Sequence, residues 1–204
     1  MRVTTGTQVR GYSVENDDDR VALIGKQILE SVKDPLVLWV ARAMTSQCEG
    51  RDERCELEVI YGSVKHGPIP LPAKGGGAVA GPGLRFVNDP RFVDAYPSAG
   101  KTLRWLADGA RGEDCDGHTI LVDGLANALG WQTGCVIASR DGNEFIHVFP
   151  VVGYPKEEPR EWVPMDTTVP QASVGWWPPR SWVKRMRVYA FLPGRPARGR
   201  ELRI

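Results

Sequence analysis

The chain has 204 residues, enough for one domain with a substantial core and too few for two full-sized domains. Apolar residues make up 42% and charged residues 25% of the sequence, and a formal net charge of +1 gives no reason to expect a nucleic-acid partner. The longest apolar run, PLVLWVARAM at 35–44, is too short to span a bilayer, and residues 1–19 have no apolar signal-peptide core. We therefore predict a cytoplasmic protein that does not associate with membranes.

The first third of the sequence predicts helices. Apolar residues recur at helical spacing over 17–34 behind three aspartates, which suit a helix N-terminus. Asp34-Pro35 is a cap followed by a first-turn proline and begins a second, buried helix. Residues 52–67 predict a third helix that ends in glycine. The glycine- and proline-rich stretch 67–83 cannot hold a regular element in this interpretation and is predicted to be a long surface loop.

The rest of the chain predicts two helices and then an antiparallel sheet. The segment that begins at residue 84 resembles a short strand followed by a connection broken by prolines. Helices are expected at 98–107 and from the Asp114 cap to Gly130. Asp141-Gly142 is a hairpin signal, and four short segments rich in β-branched and aromatic residues are predicted to be strands: 132–140, 144–152, 161–168 and 184–192. Helices followed by an antiparallel sheet indicate an α+β domain.

The chain has four cysteines, and we expect all of them to be reduced. A predicted cytoplasmic location argues against disulfides. Cys48 and Cys55, if they lay in one continuous helix, would be about 10 Å apart and too far from each other for a bridge. A zinc site at this pair would need two further ligands at metal spacing, and the sequence offers none.

Cys115 is a candidate nucleophile because it falls in the first turn of a predicted helix. Amide groups and the helix dipole favour a thiolate there, whereas the neighbouring Asp114 and Asp116 oppose a second negative charge. A cation is needed to offset them, and His147 in the strand FIHVF is the candidate. Asp166 ends the next predicted strand, and strands about 5 Å apart would let its carboxylate reach the other ring nitrogen of His147. The prediction is a Cys-His-Asp triad.

Three motifs in this order, GEDCDGHTILVDGLANALGW, HVF and WVPMDTT, resemble the transglutaminase-like core, a superfamily related to papain. The segment LRFVNDPRFVDAYPSAGKTLRWL resembles the part that precedes the cysteine in small bacterial and phage members, and the similarity covers roughly residues 52–170. This sequence has Gly-Glu-Asp-Cys where the family pattern is Gly-Asp-Cys. The resemblance implies an α+β fold in which N-terminal helices and the cysteine helix pack on an antiparallel sheet. It assigns Cys115 as nucleophile, His147 as base and acid, and Asp166 as the orienting carboxylate.

The resemblance implies cysteine-dependent acyl transfer from a peptide or protein amide, without metal or organic cofactor. We expect a peptidase or amidase rather than a transferase, because nothing in the sequence specifies an amine acceptor. The alternative is a structural or assembly protein of a phage virion or tail, contacting other phage proteins and using the fold as a scaffold without activity. The expected organisation is a helical extension (1–50), a transglutaminase-like domain (51–192) and a basic tail (193–204) that is solvated or contacts a partner.

Each candidate also has a purely structural interpretation. Cys115 could be a small buried hydrophobe, and His147 a core histidine with satisfied hydrogen bonds. Cys135 lies in an apolar strand and is interpreted as structural, while His118 is expected to pack or support the site rather than react. Four tryptophans are expected to cover the core or loops, with a substrate-groove wall as the alternative: Trp162, Trp176, Trp177 and Trp182. The backbone N–H of Cys115 is the oxyanion donor that the sequence suggests.

Overall fold

The structure is a computed structural model that describes residues 16–50, 52–73, 75–88, 95–110, 112–193 and 199–202. The described residues form a mixed helical and sheet protein of the α+β type. Its helices are α1 (Asp17–Ser31), α2 (Pro35–Thr45), α3 (Glu53–His66), α4 (Ala99–Ala107) and α5 (Cys115–Ala128). Its strands are β1 (Ile69–Pro72), β2 (Ala78–Gly81), β3 (Arg85–Phe86), β4 (Gly112–Glu113), β5 (Thr133–Ser139), β6 (His147–Tyr154), β7 (Glu161–Pro164), β8 (Arg185–Phe191) and β9 (Gly199–Leu202).

Polar caps set where the helices begin. The side chain of Asp34 accepts a hydrogen bond from the backbone N–H of Leu36 at the start of α2. Ser98 caps α4, and Asp114 caps α5 by accepting from two backbone N–H groups. Each cap satisfies amides that have no partner inside the helix, which explains why these positions fix the helix starts. The helices predicted from the sequence are therefore confirmed within a residue or two at their ends, except that α1 ends at Ser31, three residues before the end predicted for it.

The main sheet has five strands in the order β7-β6-β5-β8-β9, and every neighbouring pair in it is antiparallel. Side chains alternate between its faces, so Cys135 and Ile137 join one buried cluster while Val136 and Ala138 join another. The first cluster lies between the sheet and helices α1 and α5, and a further cluster joins α2, α3, α4 and α5. Helix α5 is thus enclosed on several sides, which holds its first turn firmly in place.

The stretch 67–83 is not the irregular loop that the sequence predicted. Strands β1 and β2 form an antiparallel hairpin within it, with Ile69 paired to Gly81 and Leu71 to Val79. Ile69 and Leu71 are buried, and these two inward side chains stabilise the strand although prolines alternate with them, Pro70 between the two and Pro72 after Leu71. Part of the predicted basic tail also forms a regular element, because β9 pairs with β8.

The prediction of four reduced cysteines is wrong for one pair, because Cys48 and Cys55 form a disulfide with a Cα–Cα distance of 5.7 Å. The spacing estimate assumed one continuous helix, but α2 ends at Thr45 and α3 begins at Glu53. The chain turns between these helices and brings the two cysteines together. Across the part of the chain that the structure describes, no helix has both the length and the apolar character needed to cross a membrane.

Candidate active site

A cleft of about 280 Å³ opens where α1, β3, α5 and the β5–β6 hairpin meet. Cys115 and His147 both line it. The remaining walls combine apolar and polar side chains: Asp17, Arg20, Val21, Ile24, Phe86, Asn88, Asp114, Asp116, Ile137, Phe145, Ile146 and Val148. Phe86 is 48% exposed and Ile146 is 65% exposed, so large apolar surface is available at the cleft. Such a mixture of apolar walls and a few polar groups is typical of a site for a small molecule or a short chain segment.

Cys115 lies in the first turn of α5 and is partly exposed. Its Sγ atom is 4.0 Å from Oδ1 of Asp116, within the distance expected for a weak thiol hydrogen bond. The carboxylate of Asp114 accepts from the backbone N–H groups of Asp116 and Gly117 at 3.0 and 3.1 Å. The amides that favour a thiolate at a helix start are therefore already used by a carboxylate.

The electrostatics around Cys115 favour the neutral thiol. Burial, followed by the negative charges of Asp116 and Asp114, raises the pKa of Cys115 to about 12, although hydrogen bonding to the backbone at Val148 and at Cys115 itself acts in the opposite direction. Among the described residues, no hydrogen bond joins the Cys115 thiol to His147. Asp116 and Asp114 therefore oppose the thiolate as the sequence predicted, but the offsetting hydrogen bond to His147 is not made in this structure.

His147 and Asp166 are joined directly. Nε2 of His147 is 2.8 Å from Oδ2 of Asp166, whose side chain is only 4% exposed. Burial acts to raise the pKa of Asp166, but the hydrogen bond and charge of His147, together with two hydrogen bonds from Thr168, outweigh it and lower that pKa below its usual value. An ionised carboxylate can only accept, so Nε2 carries the proton and Nδ1 is left to exchange one.

The chain after β7 supplies contacts that sequence reasoning missed. Thr168 donates to Oδ1 of Asp166 from its backbone N–H at 2.9 Å and from its hydroxyl at 2.6 Å. Thr167 bonds through its hydroxyl to Nδ1 of His118 at 2.8 Å. The sequence signal for the first contact was Asp-Thr-Thr, since an aspartate often accepts from the residue two positions later in a turn. No local signal connects His118 with Thr167, which is 49 positions away.

The other residues weighed from the sequence lie outside the cleft lining. His118 is 1% exposed, and burial lowers its pKa to about 4, against the opposing effects of a backbone hydrogen bond at Arg85 and the charge of Asp166. Cys135 is fully buried, in agreement with its structural interpretation. None of the four tryptophans, all of them in the described part of the chain, lines the cleft, although the ring of Trp177 contacts Phe149, the neighbour of His147 on the same strand face.

No protein-family model, curated protein or solved structure matches the chain. The resemblance to the transglutaminase-like core therefore stays a prediction, and support for a catalytic role comes from the geometry of these side chains. Among the described residues, no group of three or more His, Cys, Asp or Glu side chains is arranged to hold a metal ion.

Proposed function

We propose that this protein is a cysteine-dependent enzyme of transglutaminase-like, papain-related architecture that transfers the acyl group of an amide. Cys115 is the nucleophile, His147 the base and acid, and Asp166 the residue that orients the imidazole. The observation that carries the proposal is the 2.8 Å hydrogen bond between His147 and the buried Asp166, made at the cleft that Cys115 lines. A base that is held by a buried carboxylate and lines the same cleft as a helix-start cysteine fits an arrangement used for nucleophilic acyl transfer.

The reaction has two halves. In the first, Nδ1 of His147 takes the thiol proton as Sγ of Cys115 attacks the amide carbonyl, and the imidazolium then protonates the leaving amine as the C–N bond breaks. In the second, His147 takes a proton from water as the water oxygen attacks the thioester. The C–S bond then breaks as the imidazolium returns a proton to Sγ, which releases the acid and restores the thiol. The backbone N–H of Cys115 is the candidate donor to the oxyanion.

The neutral resting thiol requires a rearrangement before attack. Sγ has to leave Oδ1 of Asp116, 4.0 Å away, and turn toward the imidazole. The Sγ atom of Cys115 can turn about the Cα–Cβ bond, and catalytic contacts are often longer in an unliganded protein than in the reacting complex. Substrate that occupies the cleft and excludes water from it would favour this turn.

Water is the acceptor that we favour, which makes the protein a peptidase or amidase rather than a crosslinking transferase. The substrate is a peptide or protein amide, and the exposed Phe86 and Ile146 supply apolar surface for one of its side chains. Among the described residues, the lining has three carboxylates, Asp17, Asp114 and Asp116, and one guanidinium, Arg20. This balance favours neutral or basic peptides over acidic ones.

Peptide pools incubated with and without a labelled primary amine test the proposal. Wild-type protein should release peptide fragments or ammonia, and Cys115→Ala and His147→Ala should abolish that release. Cys135→Ala is the matched control, because it removes a cysteine that lies outside the cleft and should retain activity once its folding is verified. Incorporation of the amine in place of hydrolysis would make the protein a transferase, and inertness of folded protein toward both would contradict the proposal.

A second candidate is an assembly or virion protein of a phage that retains the fold without activity. The observation that favours loss of activity is the contact of the Cys115 thiol with Asp116 in place of His147. Sedimentation of the purified chain separates the candidates: self-assembly or binding to phage structural proteins, together with an inert Cys115, supports the scaffold. A monomer that acylates its cysteine supports the enzyme.

A further inference from the structure

The segment 166–172, which follows β7 and begins with Asp166, is fastened to helix α3. The hydroxyl of Tyr61 lies 3.1 Å from the backbone oxygen of Asp166 and also contacts the backbone oxygen of Ala172. Lys65 donates to the Tyr61 hydroxyl at 2.7 Å and to two backbone carbonyls of the segment at 2.8 and 2.7 Å. These contacts fix the backbone on which the Asp166 side chain stands.

The orientation of the carboxylate is fixed separately, by a neighbour two positions along the chain. Oδ1 of Asp166 accepts from the backbone N–H and the hydroxyl of Thr168 at 2.9 and 2.6 Å, while Oδ2 faces Nε2 of His147 at 2.8 Å. Both oxygens therefore have defined donors. Rotation of the carboxylate about its Cβ–Cγ bond would break the Thr168 contacts and move Oδ2 away from the imidazole.

We infer that Thr168 is a positioning residue for the proposed reaction, because its hydroxyl holds Oδ1 of Asp166 and so presents Oδ2 to the Nε2 proton of His147. The inference rests on the proposed function for its catalytic meaning. Tyr61 and Lys65 contact the segment 166–172 through its backbone oxygens, whereas Thr168 contacts the carboxylate of Asp166 itself. Thr168 is therefore the residue whose loss acts directly on the orientation of Asp166.

The consequence for His147 concerns its tautomer. When Oδ2 accepts from Nε2–H, Nδ1 carries no proton and can take one from a thiol. A carboxylate that keeps only the backbone N–H of residue 168 as a donor to Oδ1 fixes Nε2–H less well, and the neutral ring then also populates the Nδ1–H form. That form cannot accept a proton at Nδ1, so it is inactive in the proposed mechanism.

Three variants test the inference. Thr168→Val replaces the hydroxyl by a methyl group of similar size, Thr168→Ser restores a hydroxyl, and Thr45→Val is the matched control. Thr45 donates to the backbone oxygen of Ala41 within α2 and lies outside the cleft. The tautomer of His147 is read from the ¹⁵N chemical shifts of its two ring nitrogens, at a pH where the imidazole is neutral. In addition, kcat is measured on any amide that wild-type protein cleaves.

We expect the Nε2–H tautomer to dominate in wild type, in Thr168→Ser and in Thr45→Val, and the Nδ1–H tautomer to become populated in Thr168→Val. For an active enzyme, kcat should fall roughly tenfold in Thr168→Val, as expected for one lost hydrogen bond to a charged group, and recover in Thr168→Ser. An unchanged tautomer in Thr168→Val would overturn the inference, as would failure of Thr168→Ser to restore it.

The tautomer measurement needs no substrate, so it separates the two proposals. A shifted tautomer in a protein that cleaves no amide would support the role of Thr168 and contradict the proposed function. If Thr168→Val does not fold, as judged by its thermal melting curve, Thr168→Ala provides the same measurement without the added methyl group.

Discussion

Acid should destabilise this protein through His118, and the size of the effect follows from its burial. His118 is 1% exposed, contacts Thr167 through Nδ1, and has its pKa lowered by burial from 6.5 to about 4. In the unfolded chain the imidazole takes up a proton as pH falls through its usual value, whereas the folded protein resists until about pH 4. The unfolded state thus binds more protons in this window, and stability is lost as pH falls from 6.5 to 4.

The stability lost through His118 is about 3 kcal/mol, because its pKa is lowered from 6.5 to about 4 and each pH unit corresponds to roughly 1.4 kcal/mol. Asp123 acts in the opposite direction over the same range. It is fully buried in α5, and burial raises its pKa well above 3.8, so the folded state binds the extra proton there and stability falls as pH rises. The wild-type curve alone therefore mixes two effects of opposite sign.

The assay compares wild type with His118→Gln by urea unfolding at several pH values between 7.5 and 4. Asp123 is present in both proteins, so its effect cancels in the difference between their free energies of unfolding. Relative to the variant, wild type should lose about 3 kcal/mol between pH 6.5 and 4. His66→Gln is the matched control, because it removes an exposed imidazole at the end of α3. A difference that does not change with pH, or that changes with the opposite sign, would contradict the assignment of the acid destabilisation to His118.

Three further predictions concern single groups. Asp116→Asn should lower the pH midpoint for alkylation of Cys115 by iodoacetamide, because it removes a negative charge near the thiol. Mass spectrometry measures the alkylation, and an unchanged midpoint would contradict the contact between Cys115 and Asp116. Asp123→Leu should raise the free energy of unfolding by about 1–3 kcal/mol at pH 7, because neither carboxyl oxygen of Asp123 has a hydrogen-bond partner among the described residues. This gain in stability should grow as pH rises, because burial raises the pKa of Asp123. Replacing both Cys48 and Cys55 by serine should cost about 2 kcal/mol in chemical unfolding, the value expected for a short closed loop, and reductant should then have no further effect.

The elements that the sequence predicted well are those with local signals. Asp34-Pro35, Ser98 and Asp114 each offer a side-chain acceptor at a helix start, and the structure places each of them as a cap. The Asp141-Gly142 turn likewise joins β5 to β6. Such signals depend on residues a few positions apart, so tertiary structure has little opportunity to override them.

The predictions that failed depended on contacts distant in sequence or on an assumed geometry. The hairpin at 67–83 was missed because glycine and proline dominate it, whereas burial of Ile69 and Leu71 against the helices decides its structure. The disulfide was missed because the spacing of Cys48 and Cys55 was judged on one helix. A pattern in one dimension carries no information on where a chain turns between two helices.

The candidate site also combines a contact that the sequence could predict with one that it could not. His147 and Asp166 could be paired from the sequence because His147 begins β6 and Asp166 lies two residues after the end of β7. The two residues therefore lie at the same end of neighbouring antiparallel strands, whose spacing limits the distance between them. Cys115 belongs to a helix, and the direction of its thiol depends on a side-chain rotation that spacing does not determine. The sequence could place its first-turn position and the acids beside it, but not the contact with Asp116.

The state of the Cys115 thiol constrains how the proposed chemistry can proceed. With its pKa raised to about 12, the thiolate makes up roughly 10⁻⁵ of the resting protein at pH 7, too little to act as a standing nucleophile. Two routes remain for an active enzyme. Either His147 removes the proton as attack occurs, or substrate in the cleft displaces the thiol from Asp116 and lowers its pKa beforehand. The first route depends on an unprotonated Nδ1 of His147. The hydrogen bonds that hold Asp166 keep Nδ1 able to accept the thiol proton of Cys115, whereas the negative charges around Cys115 oppose the loss of that proton.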